Sequence, residues 1–159
     1  MPFDSQQQRR ILGRFATGIS VATTRVGDEL FGMTANAVTS LSLDPPLVLL
    51  CVDKYAQFLT AIKQSKVFAL SILGEEHEHH SRRFAQKGPK EFTDWNSVTS
   101  TTGSPILSEA LAWVDCNVVD ILPGGDHEIF VGEIVAGDCR DGRPLLYFGG
   151  QYAKLSEQT

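Results

Sequence analysis

Residues 32–53 read GMTANAVTSLSLDPPLVLLCVD, and the fold of the chain turns on how this stretch is divided. Its first part, up to Pro45-Pro46, is rich in small and hydroxyl side chains and lacks the bulky apolar residues of a core helix. The double proline ends it, and LVLLCVD (47–53) follows as a short apolar run, the pattern of a buried strand. Thr34, Asn36, Thr39, Ser40 and Ser42 place five short polar side chains within nine residues. Such a stretch can offer hydroxyls, an amide and closely spaced backbone N–H groups to a polar ligand. Gly32 and the alanines at 35 and 37 keep bulk low enough for a flat ligand to lie against the backbone. A hydroxyl-rich edge strand has the same composition, and composition alone does not separate the two readings.

Upstream, Ile19, Val21 and Thr23 alternate with Ser20, Ala22 and Thr24, and Gly27-Asp28 reads as a tight turn before Leu30 and Phe31, which makes a β-hairpin. Ile11, Leu12 and Phe15 predict a short amphipathic helix over 5–15. Downstream, Phe58, Leu59 and Ile62 give helical spacing to 55–65, and VFALSIL (67–73) reads as a strand. Residues 75–86 form a polar helix that Gly88-Pro89 stops, and 90–105 is polar and turn-rich, a long surface loop. Two β-branched runs, 110–121 and 128–136, flank the hairpin sequence Pro123-Gly124-Gly125-Asp126. A last short strand, 144–148, follows the Asp141-Gly142 turn. About six strands and three short helices predict a mainly β chain, an antiparallel barrel rather than a doubly wound sheet. Without repeats or linkers, 1–159 is read as one domain.

Composition narrows the function. With 42% hydrophobic and 21% charged residues the chain is neither disordered nor a membrane protein, and no apolar run approaches the ~20 residues of a spanning helix. The start lacks the basic-then-apolar order of a secretory leader, so a cytoplasmic location is expected. A net charge of −5 argues against nucleic-acid binding. The pairs Arg9–Arg10 and Arg82–Arg83 read as solvated helix faces. Cys51, Cys116 and Cys139 are odd in number with no CxxC pair, which predicts neither a disulfide framework nor a zinc site.

The usual cofactor and nucleophile motifs are absent: there is no GxGxxG after a strand, no P-loop and no GxSxG elbow. The run Glu75, Glu76, His77, Glu78, His79, His80 carries metal-ligand types. Its acids, however, stand at the start of a predicted helix, where the macrodipole favours them without a ligand. A solvated helix face is the preferred reading, and no metal is expected.

The segment 32–53 resembles the short-chain flavin reductase family. The resemblance extends over nearly the whole chain through FATGISVATT (15–24), RRFA (82–85), GGDHEIFVGEI (124–134) and PLLYFGGQYAKL (144–155), in the family's order and spacing. It implies the FMN-binding split barrel, a six-stranded antiparallel barrel of Greek-key type, assembled as a homodimer. It further implies NADH- or NADPH-dependent reduction of FMN or FAD, supplied as reduced flavin to an oxygenase component. The flavin is expected along Gly32, Met33, Thr34, Ala35 and Asn36, with Ser40 near its ribityl-phosphate end. Asp53 and Lys54 look like the phosphate-binding corner, continued by Ala56 and Phe58. Ala56 stands where many relatives carry a serine or threonine, which removes one hydroxyl from that shell. Phe84 and Ala85 match family positions near the same end. His127, in the family's Gly-Asp-His sequence, is expected to contact the nicotinamide cofactor, as are Gly149, Gly150 and Tyr152 of the closing motif. Two rivals remain at this point. A pyridoxamine-phosphate oxidase relative would need a basic cluster beyond Lys54, and a flavin carrier or storage protein would need no nicotinamide site.

Overall fold

The computed structural model describes residues 2–157. Among the described residues, three α-helices, α1 (Ser5–Leu12), α2 (Gln57–Ser65) and α3 (Glu78–Ala85), and one 3-10 turn (Glu75–His77) accompany twelve strands. In chain order these are β1 (Thr17–Gly18), β2 (Ser20–Val26), β3 (Glu29–Ala35), β4 (Val38–Leu43), β5 (Pro46–Asp53), β6 (Val67–Ile72), β7 (Ser97–Val98), β8 (Ile106–Leu107), β9 (Ala112–Gly124), β10 (His127–Cys139), β11 (Leu146–Phe148) and β12 (Gln151–Ala153). Seven of them form one antiparallel sheet in the order β3-β2-β6-β9-β10-β5-β4. The chain is therefore mainly β with short helices, as expected, but its main sheet has seven strands rather than six.

Residues 32–43, read as one segment in the sequence, divide between two strands at opposite edges of that sheet. Laid flat, seven strands would set the edges about 29 Å apart, six steps of ~4.8 Å. Ala35 and Val38, however, are only three residues apart along the chain, a reach of at most about 11 Å. The sheet must therefore curl until β3 and β4 nearly meet at one end, although no ladder joins them.

The hairpin signals are realised at Gly27 (φ +60°) and Gly125 (φ +70°), where a left-handed backbone favours glycine. The β9–β10 hairpin runs past its predicted limits at the turn, and β10 also continues to Cys139, while β9 starts two residues later than expected; the ribbon carries two register shifts. Such bulges add twist and bend the ribbon. Both faces of β2 are covered. Val21 and Thr23 alternate with Ala22 and Thr24, and all four are buried. Ala22 joins Leu50, Val52, Phe58, Ile62, Phe68 and Phe130 in one core, while Val21 joins Ile19, Leu73, Phe84, Trp95, Leu107 and Leu145 in another.

Three sequence expectations are revised. The amphipathic α1 buries none of its residues, and Ile11, Leu12 and Phe15 of the 5–15 segment are exposed. The 90–105 segment is not purely superficial: Trp95 is 3% exposed and seats in the second core with Phe92 beside it. The closing segment holds a second strand, β12, which pairs with β11 across Gly149 (φ +60°) and Gly150 (φ +78°).

Candidate functional site

A cleft of about 1290 Å³ opens between β3, the corner after β5, the start of α2, and α3 with the loop that follows it. Ten expected site residues line it: Gly32, Met33, Thr34, Asn36, Asp53, Ala56, Phe58, Phe84, Ala85 and Tyr152. The other six do not line it. Ala35 points from the opposite face of β3 into the core, and Ser40 is exposed on the far edge strand β4. Lys54 stands exposed at the corner, its backbone N–H donating to Asp126 O at 3.0 Å. His127 opens β10 directly across from Asp53, with Nδ1 2.7 Å from Asp126 Oδ1. That hydrogen bond holds the Asp126 carboxyl below its usual range. Gly149 sits in the β11–β12 turn, and Gly150 borders a recess beside the cleft.

The walls are built by close approach and hydrogen bonding. A Cβ on Gly32 would lie 2.6 Å from Phe84 Cε1 and 2.7 Å from Cδ1, so only glycine lets β3 pass over that ring. Phe84 cannot yield, because Phe92 and Trp95 pack edge-on against it at centroid distances of 5.1 and 5.0 Å. Thr34 Oγ1 donates to Ser81 O at 2.6 Å. Its one proton is thus committed to the protein, and toward a ligand the hydroxyl acts as an acceptor. The Ser81 hydroxyl in turn meets the Tyr152 hydroxyl at 2.8 Å, and Tyr147 stands edge-on to Tyr152.

Sequence reasoning missed Tyr55, Ser81, Lys87, Lys90 and Tyr147, which also line the cleft. Two glycines between short apolar runs would have signalled the hairpin that sets Tyr147 opposite Tyr152. Lys87 and Lys90 lie in a loop without periodicity, where no pattern announces them. Lys90 Nζ donates to Gln86 O and Gly88 O, and burial pushes its pKa down.

The family described as "Flavin reductase like domain" matches residues 12–156. The chain belongs to the flavin reductase-like family. It is 38% identical, over 95% of its length and 81% of the relative's, to the reductase component of a 4-nitrophenol 4-monooxygenase/4-nitrocatechol 2-monooxygenase from Rhodococcus opacus. It is 37% identical to an NADH-dependent FAD reductase from Streptomyces globisporus, covering 98% of this chain and 88% of that one. The fold superposes with a TM-score of 0.91 on the Streptomyces globisporus NADH:FAD oxidoreductase in complex with NAD and FAD fragments, at 36% identity over 96% of this chain and 93% of that chain.

In this flavin reductase-like chain the histidine cluster is not the solvated helix face expected of it: His77 and His80 are buried, and only His79 of the three is exposed. His77 Nδ1 accepts from the Gly74 N–H at 3.1 Å. His80 is buried edge-on against Trp95. Ligand-type atoms of His79, His80 and Asp94 lie within 4.8 Å of one another, but Arg83 already holds the Asp94 carboxylate in a two-pronged ion pair.

Burial, reinforced by His79, His77 and Arg83 nearby, pushes His80 down to about 4. Above pH ~6.5 the ring is neutral in both folded and unfolded chains. As pH falls below that value the unfolded chain takes up the proton first, so the stability tied to this group declines until about pH 4, where the folded ring also protonates. Thermal melting of the unsubstituted chain should therefore fall across this window more steeply than that of His80→Phe. Parallel curves for the two would show that the ring is not shielded.

Proposed function

We propose that this chain is an NADH-dependent flavin reductase that supplies reduced FMN or FAD to a separate oxygenase. Membership of the family, with relatives named as NADH-dependent reductases and monooxygenase reductase components, supports the reading. The single observation that carries it is the cleft floored at Gly32. Its volume exceeds the ~300–1,000 Å³ of an ordinary single-ligand pocket, which leaves space for two planar rings, one on the other.

When bound, the flavin accepts the hydride that a reduced nicotinamide gives up. The protein's task is alignment, because holding two reactants in register replaces a chance collision. Gly32, whose bare Cα face is taken by the Phe84 ring, holds β3 close against α3, and Thr34 and Asn36 offer polar contacts along the cleft. Lys54 at the corner, with Lys87 and Lys90 across the cleft, provides cations for a phosphate. Those two loop lysines add the basic groups that the sequence offered only at Lys54. Tyr152, fixed through Ser81, and His127 beside Asp53 are assigned to the nicotinamide.

The curled sheet is read as the family's split barrel, and the protein as a homodimer. Leu43, 93% exposed, and Leu41 on edge strand β4 supply an apolar surface for a second copy. A cytoplasmic setting agrees with three unpaired cysteines, of which Cys116 has its thiol pushed up to about 12 by burial and by Asp115.

Oxidation of NADH and of NADPH, followed at 340 nm with FMN, FAD or riboflavin added in turn, tests the proposal. Flavin-dependent oxidation is expected with NADH, and its absence with every flavin would remove the reductase reading. His127→Ala should raise the KM for the nicotinamide severalfold while moving the flavin KM less. Equal shifts in both would displace His127 from the nicotinamide site.

A further inference from the structure

Beside the cleft lies a recess of about 730 Å³ whose walls include Glu78, Arg82, Gln86, Gly150, Gln151 and Tyr152. It is continuous with the cleft, for Ala85, Gln86, Tyr147 and Tyr152 border both. Arg82 is the single cation among its lining residues. Its guanidinium carbon lies over the Tyr152 ring, 4.6 Å from the centroid and within cation–π range. Glu78 Oε1 accepts from Nε at 3.0 Å and from Nη2 at 2.6 Å. Of the five N–H donors of a guanidinium, this leaves three uncommitted. The side chain is 64% exposed, so those donors are within a ligand's reach.

Two details keep the recess in place. The Ser81 hydroxyl holds Tyr152, and with it the platform on which Arg82 rests. Gly150, in the left-handed region, leaves open space where a Cβ would stand, so this wall stays low. A dinucleotide donor joins its nicotinamide to a doubly charged pyrophosphate through a single ribose. With the nicotinamide in the cleft beside Tyr152, that ribose spans the shared wall and the anionic segment falls next to the guanidinium.

We propose that this recess takes the pyrophosphate of the nicotinamide dinucleotide, with Arg82 as its counter-ion and Glu78 holding Arg82 in position when the donor is absent. The inference rests on the reductase reading and adds where the donor's tail is bound. His127 then serves the ring end of the donor and Arg82 the phosphate end.

The test compares NADH with 1-benzyl-1,4-dihydronicotinamide, a hydride donor that has the ring but no phosphate. Arg82→Gln should raise the KM for NADH about tenfold, as expected for a charge-assisted contact at a partly exposed site. The preference for NADH over the phosphate-free donor should drop by the same factor. Calorimetric binding of ADP-ribose, the tail without the ring, should weaken about tenfold in Arg82→Gln and tighten about twofold in Glu78→Gln. Loss of rate with both donors alike, or ADP-ribose binding that Arg82→Gln leaves unaltered, would overturn the assignment alone. Failure of the unsubstituted chain to oxidise either donor with any flavin would remove the reductase reading and this proposal with it.

Discussion

Phe84→Ala should destabilise the protein by about 3–5 kcal/mol, the cost of deleting a large buried aromatic side chain. The ring is 1% exposed and meets Phe92 and Trp95 edge-on, so its removal opens a hole in the second core that neighbouring rings cannot close without leaving their own contacts. Domains of this size are stable by only about 5–15 kcal/mol, and the melting temperature should fall by roughly 10 °C. Flavin affinity should fall with it, because Phe84 also forms part of the cleft wall. Urea melts read the first effect and flavin fluorescence quenching the second. A loss under about 1 kcal/mol would mean that the aromatic group is not the core it is taken to be.

The second large effect comes from the opposite change. Gly32→Ala sets a methyl group 2.6 Å from the Phe84 ring, and overpacking of this kind costs about 1–3 kcal/mol. β3 must then lift away from α3, which tilts the floor of the cleft, and flavin binding should weaken at least tenfold. The companion variant Phe84→Leu shortens the obstructing side chain. Because the two residues touch, their effects should not add: the double variant should lose less stability than the sum of the single losses. Simple additivity would place the strain elsewhere.

Much of this arrangement was legible in the sequence, for identifiable reasons. β2 and β3 announced themselves by alternation around Gly27, and β9 and β10 by β-branched runs around Gly124-Gly125. LVLLCVD was read as a buried strand, and Val48, Leu50 and Val52 are buried in β5. What escaped depended on contacts distant along the chain. Nothing local in the 90–105 segment shows that Trp95 is drawn inward, since its partners His80 and Phe84 belong to α3. Ser81 lies in a polar helix, and its link to Tyr152 spans 71 residues. Within the site, the GMTAN sequence marks the residues on β3, but nothing in it reveals that Ser40, four residues past Asn36, has crossed to the other edge of the sheet.

The two-residue link Asn36-Ala37 acts like a purse-string. It ties the rims of a sheet that would otherwise lie open, and Asn36 borders the cleft. A few glycines inserted there would break no ladder, yet they would slacken the tie and let the rims spread. The width available to a planar guest is therefore governed in part by chain length at one short crossing, independently of the chemistry of the side chains that touch it.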